Sequence, residues 1–231
     1  MTPAERDADL ASTLAAVAQA LSVESDLPAT ITRTCQLAVA TIDACDHADV
    51  MVITAGGIVT VPGTTDWVAT RVLSIEAEFH EGPCIDTYEI GQPVEASDLE
   101  SEHRWPRFTS RCLAETPVRS CLGLPLVLAE RTIGALDLYA DTSDVFGPED
   151  LAAGALFAAH AAVAFGAAME REQLQAALAS RDIIGQAKGI LMAQSHVSAD
   201  EAFDLLRRAS QRLNEKLTAL AQRIIDNAAS P

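Results

Sequence analysis

The chain has 231 residues, 33 acidic against 16 basic side chains, a net charge of −17, and hydrophobic residues make up 49% of it. That length suits one medium domain with a small appendage, and no uncharged apolar run approaches the ~20 residues of a membrane-spanning helix. The opening MTPAERDADL begins with acids rather than a basic stretch and an apolar run, which is not a secretory-signal pattern, so a cytoplasmic protein with no membrane partner is expected.

Two helical patterns come first, in DADLASTLAAVAQAL and in LPATITRTCQLAVATIDAC, where Pro28 sets the start. The period then shortens to that of strands. DVMVITAGGIVTVPG is β-branched and broken at Gly56-Gly57, the mark of a tight hairpin. TDWVATRVLSIEAEF reads as a helix, QPVEASDL as a short strand after Gly91, and RWPRFTSRCLAE as another helix. VRSCLGLPLVLAERTIGALDLYA is the strongest hairpin signal, two apolar strands joined by a turn at Ala129-Glu130-Arg131-Thr132. From Glu149 a helical pattern runs to Ser195 without a proline, and its apolar start, Leu151 to Met169, reads as a buried or coiled-coil helix. Helices before, beside and after an antiparallel sheet predict an α+β fold.

Five widely scattered cysteines without a C-x-x-C pair predict neither a disulfide framework nor a structural zinc site. Cys84, beside the turn in HEGPC and near His80, and Cys121 are the candidates for a redox role. His160 and His196 have no second ligand at metal spacing, so no metal is expected. His80 and Cys84 lack an orienting partner or oxyanion site at readable spacing, and no catalytic residues are assigned.

The charge is unevenly spread. Residues 1–170 carry 8 Arg and no Lys against 26 acids, a net −18, while residues 171–231 carry 6 Arg and 2 Lys against 7 acids, a net +1. This contrast sets the expected domains at 1–170 and 171–231. In RDIIGQAKGILM, Ile183, Ile184, Ala187, Ile190 and Leu191 share one side of a helix, and Arg181, Gly185, Lys188 and Met192 form an adjacent, partly cationic stripe. Gly185 and Gly189 cost about 1 kcal/mol each relative to alanine, which the close approach of another backbone, a neighbouring helix or a nucleic acid, would offset. Ser198 and Glu201 have capping-box spacing, followed by an apolar face of Ala202, Phe203, Leu205, Leu206, Ala209 and Leu213. Asn214 offers a cap for a third helix whose inner face holds Leu217, Leu220, Ala221, Ile224 and Ile225.

Residues 25–168, through HEGPCIDTYEIGQPVEASDLESEHRWPRF and VRSCLGLPLVLAERTIGALDLYADTSDVFGPEDL, resemble the GAF domains of actinobacterial regulators. The resemblance implies an antiparallel sheet flanked by helices, with an unidentified small-molecule ligand over one face and no named cofactor. The tail resembles the three-helix ANTAR domain of transcription antitermination regulators over residues 171–227. It does so through Ala187-Lys188-Gly189, Leu191-Met192, Glu201-Ala202-Phe203 and Ser210. That implies RNA as partner, read as paired stem-loops in nascent transcripts, and a homodimer. It assigns Arg181, Gln186, Lys188, Gly189, Ser210 and Gln211 as RNA contacts or their supports, with Arg207, Arg208 and Lys216 added for their charge. Two other outputs stay open: a DNA-binding transcription factor using the tail as a helix-turn-helix, and a ligand- or redox-sensing module whose tail only dimerises.

Overall fold

A computed structural model describes residues 15–21, 24, 26–54 and 57–229. The first expected helix lies mostly outside the described residues; its end, 15–21, is helical and buries Val17 and Leu21. Asp26 then accepts the Ala29 N–H at 2.9 Å and caps α1 (Leu27–Thr41), with proline in its first turn.

At His47 the chain turns to strands. β1 (His47–Thr54), β2 (Gly57–Thr64), β3 (Val94–Ala96), β4 (Ser120–Leu128) and β5 (Arg131–Ala140) form one antiparallel sheet in the order β2-β1-β5-β4-β3. Between them lie α2 (Trp67–Phe79), α3 (Pro83–Ile90) and α4 (Pro106–Glu115). α3 was not anticipated: PCIDTYEI is short and polar, and its start depends on Gly82 at φ 140° followed by proline at the first helical position. The β4–β5 connection is also tighter than expected. Only Ala129 and Glu130 form the turn, both at positive φ, and Arg131 already pairs with Leu128 in the ladder.

Strand alternation divides the core. Leu136, Leu138 and Ala140 of β5 join Leu122, Leu124 and Leu126 of β4 on the face covered by α1 and by the start of α5 (Pro148–Ser195). Ala135, Asp137 and Tyr139 point to the opposite face, under α2, α3 and α4. Both faces are covered, so β5 reads as a continuous apolar run with one acid in it rather than as an alternation.

An 18-residue window of α5 has a mean hydropathy of 1.7, long and apolar enough to cross a membrane, contrary to expectation. Phe157, Ala158, Ala161, Ala162, Phe165 and Ala168 of that stretch are buried against the sheet, as in a core helix. Two of its glycines are packing sites: a Cβ on Gly154 would lie 2.6 Å from Leu124 Cδ1, and one on Gly166 2.5 Å from Leu128 Cδ2.

The chain divides into two compact units between Met169 and Glu170. In the second, α6 (Ala199–Leu213) and α7 (Leu217–Ala229) pack with the end of α5 around Ala187, Leu206, Leu220 and Ala221. Phe203, Leu205 and Leu213 stay exposed rather than joining this core, because three short helices bury only one stripe of α6. Asn214 is not the N-cap of the third helix. It ends α6 in the left-handed region at φ 51°, its N–H donating to the Gln211 and Ser210 carbonyls.

Candidate nucleic-acid interface

Within the C-terminal unit, an open groove of 860 Å³ is lined by Ser180, Arg181, Gly185, Gln186 and Lys188 from α5 and by Phe203 from α6. Three of the expected RNA-binding residues, Arg181, Gln186 and Lys188, therefore share one surface. Lys188 places its ammonium 5.9 Å from the centre of the Phe203 ring, within cation–π range. The two central glycines have no packing role among the described residues, since an added Cβ at Gly185 or Gly189 would meet nothing within 4 Å. Among the described residues no helix of this chain offsets their helical cost, which leaves a helix of a second copy or a nucleic acid as the approaching backbone.

The other expected residues lie further along. α6 starts with the complete capping box: Ser198 Oγ accepts the Glu201 N–H at 3.3 Å, and Glu201 accepts the Ser198 N–H at 2.9 Å. Arg207 is exposed and paired with Asp204 at 2.9 Å. Arg208 lines a separate hollow of 300 Å³ with Val197, Glu201, Asp204 and Leu205. The Ser210 hydroxyl donates to the Glu215 carbonyl at 2.6 Å, which closes the α6–α7 turn and makes it a support rather than an outward contact. Gln211 and Lys216 are exposed on either side of that turn.

Cys84 and Cys121 are fully buried, as are Cys35 and Cys112, and Cys45 is buried too. Burial pushes the thiols of Cys84 and Cys121 well above the usual range, Cys45 up to about 12 and Cys112 up to about 11. A reactive thiol needs the reverse, a lowered pKa and access to solvent. The geometry therefore corrects the expectation of a redox cysteine, because the HEGPC turn leads straight into a helix that faces the core.

What the sequence reading missed lies beneath that helix. Asp49 and Asp137 are register partners on β1 and β5, and Gly123 of β4 is opposite Asp137 on its other side. Glu76 from α2, and Cys84 and Thr87 from α3, close over them, and all of these side chains are buried. Burial raises the carboxyl pKa of Asp49 and Glu76 well above the usual range and that of Asp137 to about 7. One signal was available: Asp137 is the single charge between Thr132 and Ala140 in an otherwise apolar strand.

A family model described as a GAF domain matches residues 24–165, and one described as an ANTAR domain matches residues 172–225. No curated protein matches the chain. Among solved structures, the GAF domain of a phosphoenolpyruvate-protein phosphotransferase from Coxiella burnetii is 16% identical with a TM-score of 0.55, over 71% of this chain and 96% of that one. The free methionine-R-sulfoxide reductase from Neisseria meningitidis in complex with its substrate is 16% identical with a TM-score of 0.54, over 70% and 91%. The GAF domain of an Acinetobacter phosphoenolpyruvate-protein phosphotransferase is 11% identical with a TM-score of 0.52, over 71% and 97%. At these identities the likeness concerns the fold alone, so the reductase carries no activity over to this chain. GAF domains are small-molecule sensors and the ANTAR domain is an RNA-binding antitermination domain. With both matches in chain order, this chain belongs to the GAF domain family and carries an ANTAR domain behind its GAF domain.

Proposed function

We propose that this protein is a signal-responsive regulator that binds paired stem-loops in nascent transcripts through its C-terminal unit and promotes antitermination, as a cytoplasmic homodimer. The observation that carries this reading is the pair Gly185 and Gly189, bare backbone open to the outside on the helix segment that also presents Lys188. RNA loops are read by splayed bases stacked on aromatic rings, by polar side chains and by backbone contacts. Phe203, 39% exposed in the same groove, supplies the ring; Arg181 and Lys188 supply charge for phosphate, and Gln186 supplies an amide.

A tail of net charge +1 attracts phosphate weakly, so binding rests on shape and on two tails acting together. Within the C-terminal unit, Leu174 and Leu178 of α5 are exposed at 59% and 60%. At about 100° per residue they lie about 40° apart around the helix, which supports pairing with the same segment of a second copy.

A second reading, in which the tail only dimerises, draws on the same surface, since Gly185 falls on the face of Leu174 and Leu178. One experiment separates the readings: binding of the full chain, at low ionic strength, to an RNA with two small hairpins and to duplex DNA of the same sequence. The proposal expects saturable RNA binding that Lys188→Ala weakens about tenfold, equivalent to about 1.4 kcal/mol. Equal binding to the duplex would make the chain a DNA-binding factor. A dimeric protein that ignores the RNA would leave only dimerisation.

A further inference from the structure

The buried face of the GAF sheet holds an arrangement that the RNA reading does not use. Antiparallel register sets Asp49 directly opposite Asp137, and period-two alternation turns both carboxylates to the same covered face. Like charges directly opposite one another across strands destabilise a sheet. Both residues are completely buried, and among the described residues no ion pair reaches either of them.

Their hydrogen bonding is incomplete as well. Tyr139 donates its hydroxyl to Asp49 Oδ2 at 2.8 Å, and the Cys84 N–H donates to Glu76 Oε1 at 2.9 Å. Among the described residues, Asp49 Oδ1 and Glu76 Oε2 have no hydrogen-bond partner, and the Asp137 carboxyl has only the weak Cys84 thiol beside it. A second, independent group points the same way: the buried Thr87 hydroxyl is also unpartnered. A Cβ on Gly123 would collide with Thr87 Oγ1 and come within 2.9 Å of Asp137 Oδ1, so the glycine keeps open the space that these two oxygens share. One ligand atom each from Asp49, Cys84 and Asp137 lie within 4.8 Å of one another.

We propose that Asp49, Cys84 and Asp137 form a site for one divalent first-row transition-metal ion, with Thr87 and Glu76 beside it. A cation at the centre of this triangle removes the repulsion between the paired aspartates and gives their carboxylate oxygens a partner. The mixed donor set selects the class of ion: thiolate sulfur favours zinc and similar metals, whereas calcium and magnesium take six or more oxygens or water. Three protein ligands leave a fourth tetrahedral position for a further donor. Binding replaces the S–H bond of Cys84 with a metal–sulfur bond and releases that proton to solvent, together with any proton on the two aspartates.

The test uses the full chain, stripped with a chelator and titrated with Co²⁺. The expected result is one Co²⁺ per chain, tetrahedral d–d bands in the visible, and a thiolate-to-cobalt charge-transfer band in the near ultraviolet that Zn²⁺ displaces. Cys84→Ser abolishes the charge-transfer band, Asp137→Asn weakens binding at least tenfold, and Cys121→Ser, outside the donor set, leaves both unchanged. If Asp137→Asn does not fold, Cys84→Ser decides alone, since serine keeps the size and the band requires sulfur. Absence of saturable bands in the parent chain, or a charge-transfer band that survives in Cys84→Ser, overturns the proposal. RNA binding enters none of these readouts, so the metal site and the RNA reading stand or fall separately.

Discussion

Lys188 on α5 holds its ammonium 5.9 Å from the centre of the Phe203 ring on α6, so a charge for phosphate and a flat face for a base are presented together. Base stacking on an aromatic ring is worth about 1–3 kcal/mol. Phe203→Ala is therefore expected to weaken two-hairpin RNA binding by about tenfold or more, equivalent to about 1.4 kcal/mol. Its partial exposure means that the melting temperature should change little, and filter binding alongside calorimetry checks both. A large loss of stability with unchanged RNA affinity would place Phe203 in the fold alone.

Glycine substitutions on α5 should separate into two kinds. Gly185→Ala and Gly189→Ala enter open space, so each should stabilise the helix by about 0.5–1 kcal/mol while reducing RNA affinity. Gly154→Ala meets Leu124 and should destabilise by about 1–3 kcal/mol through overpacking. Chemical denaturation of the three variants measures the contrast; alanines at 185 and 189 that leave RNA binding intact would remove the main support for the proposed interface.

The α6 cap and the α6–α7 turn should behave as structural elements. Ser198→Ala removes the capping box and should cost about 1 kcal/mol. Ser210→Ala deletes the bond to the Glu215 carbonyl and should cost about 0.5–1.5 kcal/mol. In both variants the lost RNA binding should return on cooling, as the helices refold, and a loss that persists in the fully folded protein would give Ser210 a direct contact.

Titration of the buried acids should appear in stability. Burial holds the Asp137 carboxyl at about 7, above its usual 3.8, so the folded state binds the proton more tightly than the unfolded chain. The contribution is complete below the unfolded pKa and is lost as pH rises through the folded one. The metal-free protein should therefore melt at falling temperature between pH 4 and pH 8, over a window set by about 1.4 kcal/mol per pKa unit. Asp137→Asn should flatten that slope; an identical profile in the variant would show that other groups set it.

All five thiols should resist modification. Each is buried, and burial raises the pKa of each. A disulfide reagent at neutral pH should label none of them in the native chain within minutes and all five after denaturation. Fast labelling of Cys84 alone would restore it as a redox candidate.

Local chemistry was legible in the residues themselves. Proline at position 28, the Ser198–Glu201 capping box, the β4–β5 apolar runs and the proline-free stretch ending at Ser195 each act within a few residues, so their spacing determined helix and strand order. The three helices of the tail and the stripe holding Arg181 and Lys188 were likewise visible, because helical periodicity places side chains on a face before any tertiary contact forms.

What tertiary structure alone decided involves residues far apart in the chain. Only strand register makes Asp49 and Asp137 neighbours, and only the packing of α2 and α3 over the sheet brings Glu76, Cys84 and Thr87 to them. Four glycines on one helix look alike in sequence, yet Gly154 and Gly166 meet leucines of the sheet while Gly185 and Gly189 meet nothing. Periodicity reports which way a side chain points; what stands opposite it depends on long-range pairing, which no local pattern encodes.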